Sequence, residues 1–206
     1  MSAYNAEDYI EDAIKSILTQ TYGNYEFIIF NDGSTDNTLG IVNEFAKQDK
    51  RIRIIDQKNM GLTKTLIKGV NLAKGQYIAR MDADDVSDSY RLERQIKHIE
   101  KYYLDICGGH CLLLDKKGKI NGLNVVPISH EMCILSLMFK VPFAHPSVMI
   151  RKQFLVENCL EYGQSKYKLA EDLDLWLRMH RCGARFGNVD GVVLKYRMLG
   201  DSLSKV

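Results

Sequence analysis

An α/β fold with a mostly parallel central sheet flanked by helices is the architecture this sequence predicts, and three observations predict it. Short β-favouring apolar runs alternate with segments of helical spacing through the first hundred residues, which is the pattern of βα units. Phe27-Ile28-Ile29-Phe30 is continuously apolar, as in a strand covered on both faces. Both this run and Tyr77-Ile78-Ala79-Arg80-Met81 lead into acidic residues, Asp32 and Asp82-Ala83-Asp84-Asp85, at the carboxyl ends of strands where such sheets bind ligands.

The elements follow in order. Ile10, Ala13, Ile14, Ile17 and Leu18 lie at helical spacing, and Glu7, Asp8, Glu11 and Asp12 near the start suit a helix N-terminus. After the strand at Phe27, Asn31-Asp32-Gly33-Ser34-Thr35-Asp36 is turn and cap chemistry, and the next helix turns Leu39, Val42, Phe45 and Ala46 inward. A short strand at Arg53-Ile54-Ile55, a helix carrying Leu62, Leu66, Val70 and Ala73, and the strand from Tyr77 to Met81 continue the alternation. A helix starting near Ser89 carries Leu92, Ile96 and Ile99, and Ile106 to Leu114 reads as a strand ending in the turn Asp115-Lys116-Lys117-Gly118. Ser129 caps a helix through Met138, Val148-Met149-Ile150 is a strand, and Leu173, Trp176, Leu177 and His180 mark a helix that stops at Gly183. Val192-Val193-Leu194 is a short last strand before a polar tail, Ser202 to Val206.

At 206 residues, 46% hydrophobic and 26% charged, the chain suits one globular domain with a substantial core. A net charge of +2, with Lys and Arg dispersed, argues against a nucleic-acid partner. No window approaches ~18 uninterrupted apolar residues, and the first residues lack the basic and apolar parts of a signal peptide. Five cysteines without a C-x-x-C pair fit reduced thiols in a cytoplasmic protein. Cys107 and Cys111 are spaced as metal ligands can be, but buried small hydrophobes are the commoner use.

The acidic run carries the chemistry. Three carboxylates after an apolar strand repel one another and resist desolvation, which a hard divalent cation bound through oxygen would offset. The other reading is a solvated loop that caps the following helix. Glu171-Asp172 is a second acidic pair, at the start of a helix, where acids also serve simply to stabilise the dipole. Asp174 lies two residues on, about 200° around the helix, so it and Asp172 cannot face the same substrate. Asp32 beside Gly33 suits a turn, and Tyr4 suits a packed aromatic. His145, preceding Pro146, is expected in extended structure as a structural or acceptor-lining side chain; Trp176 is expected in the core, and Lys64 and Arg80 on the solvated surface.

The blocks Tyr4-Asn5-Ala6-Glu7, Gln20-Thr21-Tyr22, Asn31 to Thr38, Gly61-Leu62, Ala73 to Ile78, Asp82 to Asp85, His145 to Val148, Glu171 to Trp176 and Tyr196-Arg197, in this order and spacing, closely resemble the glycosyltransferase family 2 catalytic domain. The resemblance implies the GT-A nucleotide-sugar fold over residues 1–206, with a nucleotide-binding part over about 1–100 and an acceptor-binding part over about 101–206. It implies an inverting transfer of a sugar from a nucleoside diphosphate, UDP being the expected one, to a glycan hydroxyl in cell-surface polysaccharide synthesis. By position, Asp32 matches the acid that bonds the nucleobase, and Ser2 to Tyr4 line the same pocket. Asp82 and Asp84 match the D-x-D pair, Asp82 at the ribose or metal-bound water and Asp84 on Mn2+ or Mg2+. Asp172 matches the general base, with Asp85, Glu171 and Arg197 as further candidates, Asp85 at the metal shell or donor sugar and Arg197 at the diphosphate. A lipid-linked acceptor and peripheral association with the inner face of the membrane are implied by the same analogy. The alternative is a nucleotide-sugar-binding module without catalysis; a nucleotidyltransferase would need a Gly- and Arg-rich phosphate loop that the N-terminal region lacks.

The sequence departs from the family in two places. Met1-Ser2-Ala3 leaves little room for the apolar strand that precedes the Tyr-Asn segment in relatives, so the native chain is expected to extend upstream; relatives also often continue past the tail. Leu199 stands where many relatives have a histidine that helps hold the metal or diphosphate.

Overall fold

A computed structural model describes residues 1–164 and 170–199; the tail Ser202 to Val206 lies outside the described residues. In chain order the first half consists of β1 (Ser2–Ala3), α1 (Ile10–Leu18), β2 (Phe27–Asp32), α2 (Thr38–Gln48), β3 (Ile52–Gln57), α3 (Leu62–Leu72), β4 (Tyr77–Ala79), β5 (Val86–Ser87) and α4 (Arg91–Tyr102). The second half consists of β6 (Ile106–Leu114), β7 (Ile120–Asn124), α5 (His130–Ser136), a 3-10 turn (His145–Ser147), β8 (Met149–Arg151), α6 (Lys152–Glu157), α7 (Glu171–Arg181) and β9 (Phe186–Arg197).

The strands lie in two sheets. β1, β2 and β3 are parallel in that order, with Ser2 opposite Phe30 and Phe27 opposite Ile52. The second sheet runs β4-β8-β6-β9-β5, with β7 beside β6. Here β6 and β9 are parallel, while β4 with β8, β8 with β6, β6 with β7 and β5 with β9 are antiparallel. The parallel pattern of the opening βα units therefore holds among β1, β2 and β3, and the irregular second half brings antiparallel neighbours. A tight Asp115 to Lys119 turn with Gly118 at φ 81° makes the β6–β7 pair a hairpin.

Among the described residues, a parallel bridge between Ser2 and Asp82 links the two sheets. Beside it, β2 and β4 face each other across a cavity of about 710 Å³ whose walls include Phe27, Ile28, Ile78, Ala79 and Arg80.

Two apolar clusters hold the layers. Ile10, Ala13, Ile14 and Ile17 of α1 pack with Ile29, Val42, Ile99 and Cys107. Trp176, Leu175 and Met179 of α7 pack with Phe143, Phe186 and Ile106. Burial pushes the Cys107 and Cys111 thiols up to about 12, as befits small apolar side chains in the core.

Two local expectations change. The last strand spans Phe186–Arg197 instead of three residues; Gly187, Asn188, Asp190 and Gly191 break its apolar pattern, but pairing with β6 supplies its order. Asn188 is buried there because its amide donates to the Pro127 and Pro142 carbonyls, at 2.6 and 3.1 Å. His145 is not extended: it opens the 3-10 turn, in which Pro146 costs little because a first-turn N–H has no partner within the turn.

Gln20 is the main polar tie between α1 and α4. Its Nε2 donates to the Asp88 carbonyl at 2.6 Å and the Ser16 carbonyl at 3.0 Å, while its Oε1 accepts from Leu92 N at 3.1 Å, capping α4. Gln20→Ala strands a buried helix-end N–H, so urea unfolding should show a loss of ~2 kcal/mol with an unchanged slope.

Candidate functional site

The loop after β2 is knitted to the segment after β1. Asn5, held at φ 48°, accepts from Thr35 N at 2.8 Å, Ala6 N donates to Thr38 Oγ1 at 2.8 Å, and Glu7 accepts from Asn37 N at 2.8 Å. The two blocks are thus held together in space. Asp32 is 3% exposed; its Oδ1 accepts from Gln57 Nε2 at 2.8 Å and Met60 N at 3.0 Å, and its Oδ2 from Gly61 N at 3.0 Å. It therefore fixes the lead into α3 and keeps about one acceptor site, on Oδ2. Gly33, at φ 76°, has no room for a side chain, since a Cβ would lie 2.7 Å from Asn59 N. Ser2 lies in the cavity wall, whereas Tyr4 is 53% exposed.

Asp82, Asp84 and Asp85 converge at the end of β4, each with a carboxylate oxygen within 4.8 Å of the others. Asp85 is fully buried; its Oδ1 accepts from Arg197 N at 2.8 Å and its Oδ2 has no partner. Burial, reinforced by the neighbouring Asp82 charge, pushes the Asp84 carboxyl up to about 6. Burial and the charges of Asp82 and Asp84 push Asp85 well above the ordinary carboxylate range. A converging all-oxygen set, one of whose buried oxygens lacks a donor, fits a hard divalent cation such as Mg2+ or Mn2+.

Two arginines contain this repulsion. Arg80, which the sequence places on the solvated surface, is 7% exposed, and its Nη1 pairs with Asp82 Oδ2 at 2.6 Å. The strand pattern hides this because the Arg80 backbone N–H still donates to the Val148 carbonyl, at 2.9 Å, while the residue lines the cavity beside Asp82. Arg197 donates from Nε to the Asp84 carbonyl at 2.9 Å and from Nη1 to the Asp115 and Lys116 carbonyls, both at 3.3 Å. Its guanidinium also lies 4.6 Å from the Tyr9 ring centre. Arg197 is thus an internal brace of the acidic loop, with these donors engaged by the protein itself.

On α7 the two acids separate by partner. Asp174 Oδ2 accepts from Arg178 Nη2 at 2.6 Å and Nε at 2.9 Å. Asp172 accepts only from the adjacent Leu173 N, at 2.7 Å, among the bonds described. Glu171 shares the same first turn. Charge connects this turn to the acidic loop through Tyr162: burial pushes its phenol up, Arg80 opposes the shift, and Asp172, Glu171 and Asp82 add to it. Sequence reasoning missed Tyr162, Tyr9 and the buried role of Arg80; both tyrosines stand in polar surroundings in the sequence, and their partners are distant in the chain.

The Glycosyl transferase family 2 model matches residues 1–160, and the chain belongs to that family. It is 35% identical over 214 residues to an uncharacterized glycosyltransferase of Haemophilus influenzae, covering 99% of this chain and 66% of that protein. It is 31% identical over 208 residues to the O-antigen biosynthesis glycosyltransferase WbnJ of Escherichia coli, covering all of this chain and 80% of WbnJ. The fold matches S. aureus TarS 1-349 in complex with UDP-GlcNAc with a TM-score of 0.77 at 20% identity, covering all of this chain and 59% of that one. The chain thus spans about two thirds or less of two of these relatives.

Arg197→Lys keeps the charge but loses the forked contacts to three carbonyls, so urea unfolding should show a loss of about 1–3 kcal/mol. Asp84 has a folded-state value near 6, above its ordinary 3.8. Its ionisation thus opposes folding as pH rises from about 4 to 6, and the penalty persists above that. In metal-free buffer, Asp84→Asn should be more stable than the parent by roughly 2–3 kcal/mol at pH 7.5 and by little at pH 4. Equal effects at both pH values in denaturant titrations would contradict this.

Proposed function

We propose that this chain is the catalytic domain of an inverting glycosyltransferase that moves a sugar from a UDP donor to a hydroxyl of a growing glycan. The convergent carboxylates of half-buried Asp82 and Asp84 and buried Asp85 carry the reading, because three acids with one arginine ion pair leave negative charge that a cation would offset. Asp84 is the direct metal ligand, Asp82 its partner at the ribose or a metal-bound water, and Asp85 the buried orienting group. A bound Mn2+ or Mg2+ supplies Lewis-acid stabilisation of charge on the departing diphosphate. Ser2, Tyr4 and the remaining acceptor site of Asp32 receive the nucleobase.

Asp172 acts as general base. It takes the proton of the acceptor hydroxyl as that oxygen bonds to the anomeric carbon, and the sugar–phosphate bond breaks with its electron pair leaving on UDP. The ion pair between Asp174 and Arg178 supports the choice of Asp172 over its neighbour. Glu171, at the helix start, supports the negative potential around the acceptor. Arg197 braces the acidic loop, its Nε and Nη1 donors engaged by the Asp84, Asp115 and Lys116 carbonyls and not by the diphosphate expected of it.

WbnJ, by its name, acts in O-antigen biosynthesis; we assign this chain to cell-surface polysaccharide assembly, with a glycan or lipid-linked acceptor at the cytoplasmic face of the membrane. Among the described residues no helix is long and apolar enough to cross a membrane.

Incubation with a panel of UDP-sugars and Mn2+ tests the reading through UDP release and binding. Asp84→Asn should abolish metal-dependent UDP binding, and Asp172→Asn should keep binding while lowering turnover by about 100-fold or more. Binding that depends on Asp32 without turnover on any acceptor would point to a non-catalytic nucleotide-sugar module. Neither binding nor release, with both variants silent, would overturn the transferase reading.

A further inference from the structure

Three parts of the site meet at one buried side chain. Tyr162 is 4% exposed, and its hydroxyl lies 3.2 Å from His145 Nε2. His145 stands edge-on to Trp176, with ring centres 6.0 Å apart. Trp176 is four residues after Asp172 on α7, hence on the same helix face. Tyr162 also shares the wall of the 710 Å³ cavity with Arg80 and Asp82, and it meets Leu175 of α7 with Ile67 and Val70 of α3 around a second, small void.

Both ends of this run contain a buried donor without a partner among the described residues, Arg80 Nε and Trp176 Nε1. Such orphans cost ~1–3 kcal/mol each, and in a native structure they mark groups that find a partner in another arrangement. Burial and the nearby Arg80 hold His145 well below the usual imidazole range, so its ring is neutral and offers one acceptor nitrogen. With that nitrogen at Nε2, Tyr162 donates to it and keeps its oxygen lone pairs for a cation on the cavity side.

We infer that Tyr162, held by His145, is a positioning residue that ties occupancy of the donor site at Asp82 to the placement of Asp172 on α7. The inference rests on the transferase reading. When Asp82 turns its charge toward a bound cation, Arg80 loses its 2.6 Å partner and takes the Tyr162 oxygen as acceptor. The Tyr162 ring then moves with its hydroxyl, and His145 and Trp176 transmit the shift to the helix that carries the base.

Trp176 is the sole tryptophan of the chain, so its fluorescence reports on this relay directly. Titration with UDP and Mn2+ should change Trp176 emission in the parent protein. In Tyr162→Phe the change should fall by about half or more, while the calorimetric Kd for UDP stays within about twofold. Val70→Ala loosens the same core without removing the hydroxyl and should keep the response, which separates coupling from lost packing. If UDP binds and Trp176 emission does not change, or if Tyr162→Phe retains the full change, the inference fails and the transferase reading stands. If Val70→Ala loses the change as Tyr162→Phe does, the effect is one of packing and the inference fails. If neither UDP nor GDP binds with Mn2+, the transferase reading fails and the inference with it.

Discussion

Mutual repulsion among three carboxylates inside one loop is the constraint on which the rest of the site depends. Asp85 is wholly buried and Asp84 partly so, and desolvation raises both carboxyls. Such a loop would open to water if the chain around it were slack. It is closed from two directions. Arg80 supplies a counter-charge from the end of β4, and Arg197 binds the loop's own carbonyl and, through its backbone N–H, the Asp85 carboxylate. The price of that closure is a resting state with orphaned polar atoms, at Asp85 Oδ2 and Arg80 Nε.

The brace at Arg197 explains features far from the acids. β9 must run its full twelve residues for its last side chain to reach the loop, and β6 beside it sets the register that places Arg197 opposite Leu114. The β6–β7 turn contributes the Asp115 and Lys116 carbonyls, and α1 is preceded by Tyr9, whose ring covers the guanidinium. A strand, a hairpin and a helix start therefore converge on one cation. Gln20 works similarly on the other side, fixing the start of α4 just past the loop.

Much of the fold was legible because its signals are local. The periodicity of Ile10 to Leu18 and the apolar run Phe27 to Phe30 decide α1 and β2 without help from distant residues. The acidic loop was legible as a candidate site because carboxylates after an apolar strand have few other uses. What sequence did not reveal depends on pairing across the chain. The glycine- and asparagine-rich start of β9 reads as irregular until β6 lies beside it. β5, two residues long, exists only as a partner of β9. Arg80 looks like any surface cation until Asp82 and the cavity are in place, and Tyr162 acquires its role from His145, seventeen residues away. Helix geometry posed the choice between Asp172 and Asp174, but the ion pair that engages Asp174 needed the position of Arg178.

The bridge between Ser2 and Asp82 makes a mechanical seam through the site. Among the described residues it is the backbone pairing that joins the parallel three-stranded sheet to the mixed one, with the cavity alongside it. Asp32 closes β2 on one side of this line, and Asp84 follows β4 on the other. A ligand long enough to touch both acids would tie one sheet to the other, its own covalent length setting the span between them even though neither acid lies on the bridge itself.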